Sequence, residues 1–335
     1  MDAAILSLPA LAFIIGVALV FDFINGMHDA ANSIATVVST RVLPPKVAVA
    51  WAAFFNFIAI LFFGLHVAKT IGTGIVNPAV IDPHVILAAL IGAIGWNVFT
   101  WWLGFPSSSS HALIGGIAGA GLAKAGIDSI VAAGFIKTSV AIVASPLTGY
   151  LLAVLLMIVV SWVLRGAAPY VVDRRFRHLQ LVSASLYSLG HGGNDAQKTM
   201  GIIAVLLFSQ GLLGDDFYVP LWVAIVSQIA MALGTLMGGW RIVRTMGSRI
   251  TDLKPFQGFC AETAGAATLF GATWMGIPVS TTHTITGAIV GVGSVRKTSA
   301  VRWGLAGNIL WAWIFTIPAA GLVAFVSHWM LGVFR

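Results

Sequence analysis

The sequence predicts an all-α polytopic membrane protein: an inverted repeat with broken helices and two re-entrant half-helix hairpins, roughly 10–12 membrane segments in all. Three observations carry that expectation. The 335 residues are 59% hydrophobic and only 9% charged, where a soluble domain carries roughly 25% charged residues. The apolar runs are Leu/Ala/Ile/Val/Gly stretches of helical length, not the short alternating segments of a barrel. The few polar clusters occur twice. Gly26-Met27-His28-Asp29-Ala30-Ala31-Asn32 returns as Gly192-Gly193-Asn194-Asp195-Ala196-Gln197-Lys198. Pro106-Ser107-Ser108-Ser109-Ser110-His111 returns as Pro278-Val279-Ser280-Thr281-Thr282-His283. Asp29 is separated from Asp195, and His111 from His283, by about half the chain.

Apolar segments are expected near 9–38, 47–68, 84–103, 107–124, 130–164, 181–209, 219–240, 256–275, 278–294 and 303–332. The opening run, Ile5 to Val20, lacks the basic leader of a signal peptide and continues into polar residues, so it reads as a mature span. Gly26 beside Asp29, and Gly192-Gly193 beside Asp195, suggest backbone that unwinds mid-membrane. Segments 107–124 and 278–294 are short, Gly-rich and open at Pro, as re-entrant half-helices do. The stretch 130–164 is long enough to hold a sharp turn at Ser145-Pro146. The tryptophans Trp96, Trp101, Trp102, Trp274, Trp303, Trp311 and Trp313 read as interfacial anchors.

Charge orients the chain. Arg41/Lys46, the 165–178 stretch, Arg241/Arg244/Arg249/Lys254 and Arg296/Lys297/Arg302 are basic and so expected on the cytoplasmic side. Asp215-Asp216 and the Lys69–His84 stretch are poor in positive charge and so expected outside. The two signature segments then run in opposite directions, which makes the repeats inverted. The expected organisation is a first repeat at 1–164, a basic cytoplasmic linker at 165–178 and a second repeat at 179–335. The net charge of +7 lies in short loops and points to the bilayer rather than to nucleic acid. One cysteine, Cys260, excludes a disulfide frame and a cysteine metal cluster. A duplicated polar cluster in such a chain is the plan of an inverted-repeat secondary transporter, in the inner (cytoplasmic) membrane.

Asp29 and Asp195 lie deep in apolar segments, where a carboxylate costs about 2.5–3.5 kcal/mol. Two at matched positions suggest cation or proton coupling. Asn25, Asn32, Asn194 and Gln197 add neutral donors and acceptors on the same faces, or bond neighbouring helices. Lys198 either pairs with Asp195 or attracts an anion. His28, where the second repeat has Asn194, suits a proton carrier or a neutral hydrogen-bonding role. Ser108, Ser109 and Ser110, with Ser280, Thr281 and Thr282, gather hydroxyls and unpaired backbone N–H groups at the positive end of a half-helix, which suits an oxyanion. His111 and His283 suit three roles, donating to the anion, carrying a proton or, the preferred one, orienting those half-helices. Glu262 has Leu90 at its matching position and breaks the symmetry; a cation site and a salt bridge to Lys198 or Arg241 both remain open. Asp22 either points into the site or lies nearer the outer surface. Ser110-His111 with Asp29 does not make a hydrolase, because adjacent residues on one helix do not face each other.

These motifs resemble the inorganic phosphate transporter (PiT) family over essentially the whole chain, through Asn25 to Ser33, His191 to Lys198 and the two Pro-hydroxyl-His runs. The resemblance implies a cation-coupled symporter importing inorganic phosphate; no cofactor is expected beyond the coupling proton or sodium ion, and no residue is assigned as a metal ligand. Ser108, Ser109, Ser110, Ser280, Thr281 and Thr282 would ligate phosphate. Asp29 and Asp195, with Asn32 and Asn194, would bind the coupling cation and complete the phosphate shell. Met27-His28 replaces the family's common Ala-Asn and looks like the bacterial low-affinity branch, which is proton-coupled and takes phosphate also as a neutral metal complex. Sodium coupling, and a sulfate permease of the same family, are the alternatives. The expected partners are phosphate, H+ or Na+, and the lipid bilayer; assembly as a homo-oligomer stays open.

Overall fold

A computed structural model describes residues 6–296 and 298–333, so that Ile5 and Lys297, named above, lie outside the described residues. Among the described residues, two runs of six α-helices follow in the same order. The first is α1 (Leu8–Ser39), α2 (Pro45–Ile58), α3 (His66–Gly74), α4 (Pro83–Leu103), α5 (Ser109–Ala125) and α6 (Ala132–Val163). The second is α7 (Pro169–Ser209), α8 (Leu221–Met237), α9 (Trp240–Arg244), α10 (Pro255–Trp274), α11 (Thr281–Arg296) and α12 (Trp303–Val333). In each run a long helix precedes a bent pair, then a helix, a short helix and a last long one.

Local chemistry sets the boundaries. Pro45, Pro83, Pro169 and Pro255 each open a helix, where the fixed φ suits the first turn and no N–H is wasted. Gly104 (φ 74°) and Gly276 (φ 65°), at matching positions of the two halves, end α4 and α10 in the left-handed region that glycine enters without strain. The helix α7 begins at Pro169 and takes in most of the 165–178 stretch, which is therefore helical rather than a loop.

The breaks fall at places other than those the sequence suggested. The chain bends by 85° between α2 and α3 and by 61° between α8 and α9. By contrast α1 and α7 run unbroken through Gly26 and Gly192-Gly193. Those glycines serve close packing: a Cβ on Gly26 would lie 2.1 Å from the Met231 carbonyl oxygen of α8, and one on Gly192 2.4 Å from the Asn56 carbonyl of α2. The expected turn at Ser145-Pro146 is likewise absent, and α6 continues through Pro146. Proline leaves the Ile142 carbonyl without its usual N–H partner, and Ser145 Oγ lies 3.5 Å from that oxygen. The proline inside α12, Pro318, occupies the position in the second half that Pro146 holds in the first.

Helices exchange partners between the runs. The first helix α1 packs on α8, α7 on α2, the short α5 on α12, and the short α11 on α6. Small residues make this possible. On α5, Cβ atoms at Gly115 and Gly119 would meet the Ile317 and Gly321 carbonyl oxygens at 2.4 and 2.1 Å; on α11, those at Gly287 and Gly291 would meet Pro146 and Tyr150 carbonyls at 2.2 and 2.7 Å. Large apolar side chains such as Val140, Leu147, Leu151, Leu310, Ile314 and Leu322 are exposed along α6 and α12. Among the described residues, four helices (α1, α4, α6, α12) are long and apolar enough to cross a membrane, or six spans if each bent pair counts as one. The remainder of the expected 10–12 segments escape that test. At 17 and 16 residues, α5 and α11 are short, and α7 carries its polar cluster mid-helix.

Gly26→Ala is expected to lower stability by about 1–3 kcal/mol through overpacking, seen as a reduced unfolding temperature in detergent. Gly16→Ala on the same helix, with nothing within 4 Å among the described residues, is expected to leave that temperature unchanged.

Candidate functional site

On α1, Asp22, Asn25, Asp29, Asn32 and Thr36 follow at three- and four-residue steps and so share one face. On α7, Tyr187, His191, Asp195 and Lys198 do the same. All nine are buried. The half-helices α5 and α11 bring their hydroxyls to these two stripes.

Each half-helix first caps itself. Ser108 Oγ accepts the His111 N–H at 3.3 Å, and Ser280 Oγ accepts the His283 N–H at 3.2 Å, the ordinary capping role of serine. The next hydroxyls turn to the carboxylates. Ser109 Oγ donates to Asp29 Oδ2 at 2.9 Å and to Asn25 Oδ1 at 2.6 Å. From the other half, Thr282 Oγ1 donates to Asp29 Oδ1 at 3.2 Å, and Thr281 Oγ1 to Asp195 Oδ2 at 2.9 Å. Asn32 Nδ2 donates to both threonine oxygens, at 3.2 and 2.9 Å. The two hydroxyl runs, about half the chain apart in sequence, therefore meet at one place, between the two aspartates.

The aspartates are compensated differently. His28 Nδ1 lies 2.9 Å from Asp29 Oδ1, and its Nε2 lies 3.2 Å from Thr100 Oγ1 and 3.3 Å from Ser107 Oγ. Asp195 pairs with Lys198, whose ammonium also donates to Ser110 Oγ and to the Val279 carbonyl. His191 Nε2 stands 3.5 Å from Asp195 Oδ2. One ligand atom each from Asp29, His191 and Asp195 lie within 4.8 Å of one another, a spacing that a single cation spans.

Other expected residues take supporting places. Asn194 Nδ2 donates to Thr273 Oγ1 and the Ile277 carbonyl, which holds the chain entering α11. Gln197 belongs to the fold, not the site: its oxygen accepts the Val67 and Ala68 N–H groups at the start of α3. The His111 and His283 rings meet edge to face at 4.3 Å, and His283 stacks on Trp313 at 3.7 Å. Trp313 also donates to the Pro106 carbonyl at 2.9 Å, and Trp96 to Thr316, so both bind protein rather than acting only as interfacial anchors.

Glu262 lies apart from the cluster. Neither salt bridge left open for it forms, because Lys198 is engaged with Asp195, and Arg241 donates to the Trp102 carbonyl. Glu262 accepts instead from Gln180 and Ser183, and Ser183 precedes Asp195 on α7 by about 18 Å of helix rise. Asp22 is fully buried two turns before Asp29, inside the protein rather than at its outer surface. Sequence reasoning missed Thr100 and Tyr187, whose hydroxyl donates to the Thr281 carbonyl at 3.0 Å. For Tyr187 the signal was present: it lies two turns before Asp195 on the same face.

The family profile described as "Phosphate transporter family" matches residues 25–324. A "Probable low-affinity inorganic phosphate transporter" of Rhizobium meliloti (strain 1021) is 69% identical over 328 residues, 98% of each chain. A protein of the same description in Bacillus subtilis (strain 168) is 43% identical over 94% of this chain and 95% of that one. Among solved structures, one described as "The sodium-dependent phosphate transporter" superposes with a TM-score of 0.90 at 24% identity, covering 98% of this chain and 100% of that chain.

Removing one partner of a buried ion pair costs about 3–5 kcal/mol. Lys198→Met is expected to lose stability of that order in thermal unfolding, and Asp195→Asn combined with Lys198→Met to recover a large part of it. A double variant no more stable than the single one contradicts the pairing.

Proposed function

The chain belongs to the phosphate transporter family, and from that premise we propose a cation-coupled symporter that imports inorganic phosphate across the cytoplasmic membrane. One observation carries the reading: hydroxyls from two half-helices, one in each half of the chain, converge on two buried carboxylates. A tetrahedral oxyanion needs donors from several directions. Here they are Ser109 and Ser110 on one side and Thr281 and Thr282 on the other, with Ser108 and Ser280 at the helix starts. An anion cannot rest beside two negative charges in a medium of low dielectric. A cation held by Asp29 and Asp195, with Asn32 beside them, offsets it and ties its movement to that of phosphate.

The proton is the preferred coupling ion. His28, fully buried, places an imidazole nitrogen 2.9 Å from Asp29 Oδ1, so that one proton can lie between the two side chains. The cluster of Asp29, His191 and Asp195 also suits uptake of phosphate as a neutral metal complex. Sodium coupling is the second reading; its support is that a solved transporter described as sodium-dependent shares the fold. In both readings the halves at 1–164 and 179–335 act as inverted repeats that rock against each other to open the site to alternate sides. No enzymatic step is involved: the family and its relatives are transporters, and Ser110 Oγ donates to a backbone carbonyl rather than to His111.

Asp29→Asn and Asp195→Asn are each expected to abolish concentrative phosphate uptake in proteoliposomes while the protein still inserts. Wild-type rates in both variants refute the proposal. Collapse of uptake by a protonophore without sodium dependence identifies the proton; loss on sodium removal identifies sodium. Competition by sulfate at equal strength removes phosphate as the specific substrate.

A further inference from the structure

Two crevices outside the central cluster repeat one another. The first, about 460 Å³, is lined by His66, Lys69 and Thr70 of α3, Lys137 of α6 and Gly276 at the end of α10. The second, about 410 Å³, is lined by Arg241 and Arg244 of α9, by Thr245 and Arg249 in the wider turn that follows, and by Gly104 at the end of α4. Among the described residues that line either crevice, none carries a carboxylate. In the first, Thr70 Oγ1 donates to the Gly276 carbonyl at 2.7 Å; in the second, Thr245 Oγ1 donates to the Gly104 carbonyl at 3.1 Å. Gly276 and Gly104 each stand two positions before the proline that opens a hydroxyl run. Each crevice thus joins the short bent helix of one half to the hairpin of the other. From Gly276 to Thr281 is at most about 18 Å of extended chain.

Resting on the transport reading above, we propose that these crevices are anion-collecting vestibules, one at each end of the path, where free phosphate gathers before and after it occupies the hydroxyl site. The basic side chains supply a local positive field. Such a field raises the local concentration of an anion and its rate of capture, and it weakens with salt. The arginine crevice also fits the bias of positive charge toward the cytoplasm, but that bias does not explain Lys69 and Lys137. Loop charge puts those lysines on the outer side, where membrane proteins lose positive residues. The threonine bonds fasten the floor of each crevice to the turn that leads inward.

Initial phosphate uptake by cells that depend on this chain tests the outer crevice. Lys137→Gln and Lys69→Gln are each expected to raise KM for phosphate about three- to tenfold at unchanged Vmax, to flatten its dependence on ionic strength, and Lys137→Arg to restore both. An unchanged KM in both variants, or a fall in Vmax alone, overturns the vestibule. Anionic lipid headgroups share phosphate chemistry, so KM is measured again in vesicles of zwitterionic lipid only. A shift that persists there supports free phosphate; a shift that vanishes assigns the lysines to lipid and overturns it. Asp29→Asn and Asp195→Asn separate the two levels. Wild-type concentrative uptake in both defeats the transport reading, whereas its loss together with an unchanged KM in the lysine variants defeats the vestibule alone.

Discussion

Two carboxylates that cannot reach water govern this molecule. Asp29 and Asp195 are 1% and 0% exposed, and each costs about 2.5–3.5 kcal/mol to hold in a membrane interior. A hydrogen bond to a charged group returns about 1.5–3 kcal/mol, so two or three of them suffice to offset the cost. Asp29 has Ser109, Thr282 and the imidazole of His28; Asp195 has Thr281 and the ammonium of Lys198. These partners come from α1, α5, α7 and α11. Meeting the charges therefore forces helices from both halves to one point.

That convergence explains the packing around it. A half-helix that ends inside the protein exposes N–H groups which lipid cannot satisfy. Both α5 and α11 must therefore be enclosed, and each is enclosed by the last helix of the other half. Backbone can approach backbone there because glycines line the contact at Gly115/Gly119 and Gly287/Gly291. The rings of His111 and His283 fill the gap between the two half-helices, with Trp313 stacked behind and bonded to the Pro106 carbonyl. The histidine that follows each hydroxyl run thus helps to set the separation of the two runs.

The symmetry is one of backbone more than of charge. Left-handed glycines, helix-interior prolines, capping serines and threonine-to-glycine bonds all recur from one half to the other. The partners of the carboxylates do not recur: a histidine precedes Asp29, whereas a lysine follows Asp195 by one turn.

The sequence by itself determined the helical membrane class, the doubled plan and the identity of the central residues. Hydropathy, proline and glycine positions and repeated motifs are local in the chain, and the cost of burying a carboxylate needs no coordinates. It misjudged Gly26, Gly192-Gly193 and Ser145-Pro146, because glycine and proline weaken a helix in isolation, while neighbouring helices can hold it straight. Only the tertiary structure decided that the glycines are contact points, that the breaks lie in the α2–α3 and α8–α9 pairs, and that Gln197 caps α3. It alone placed Glu262 away from the aspartates and chose Asp195 as the partner of Lys198. Those outcomes depend on which helix of one half lies against which helix of the other, and that pairing is set by packing between residues far apart in the chain.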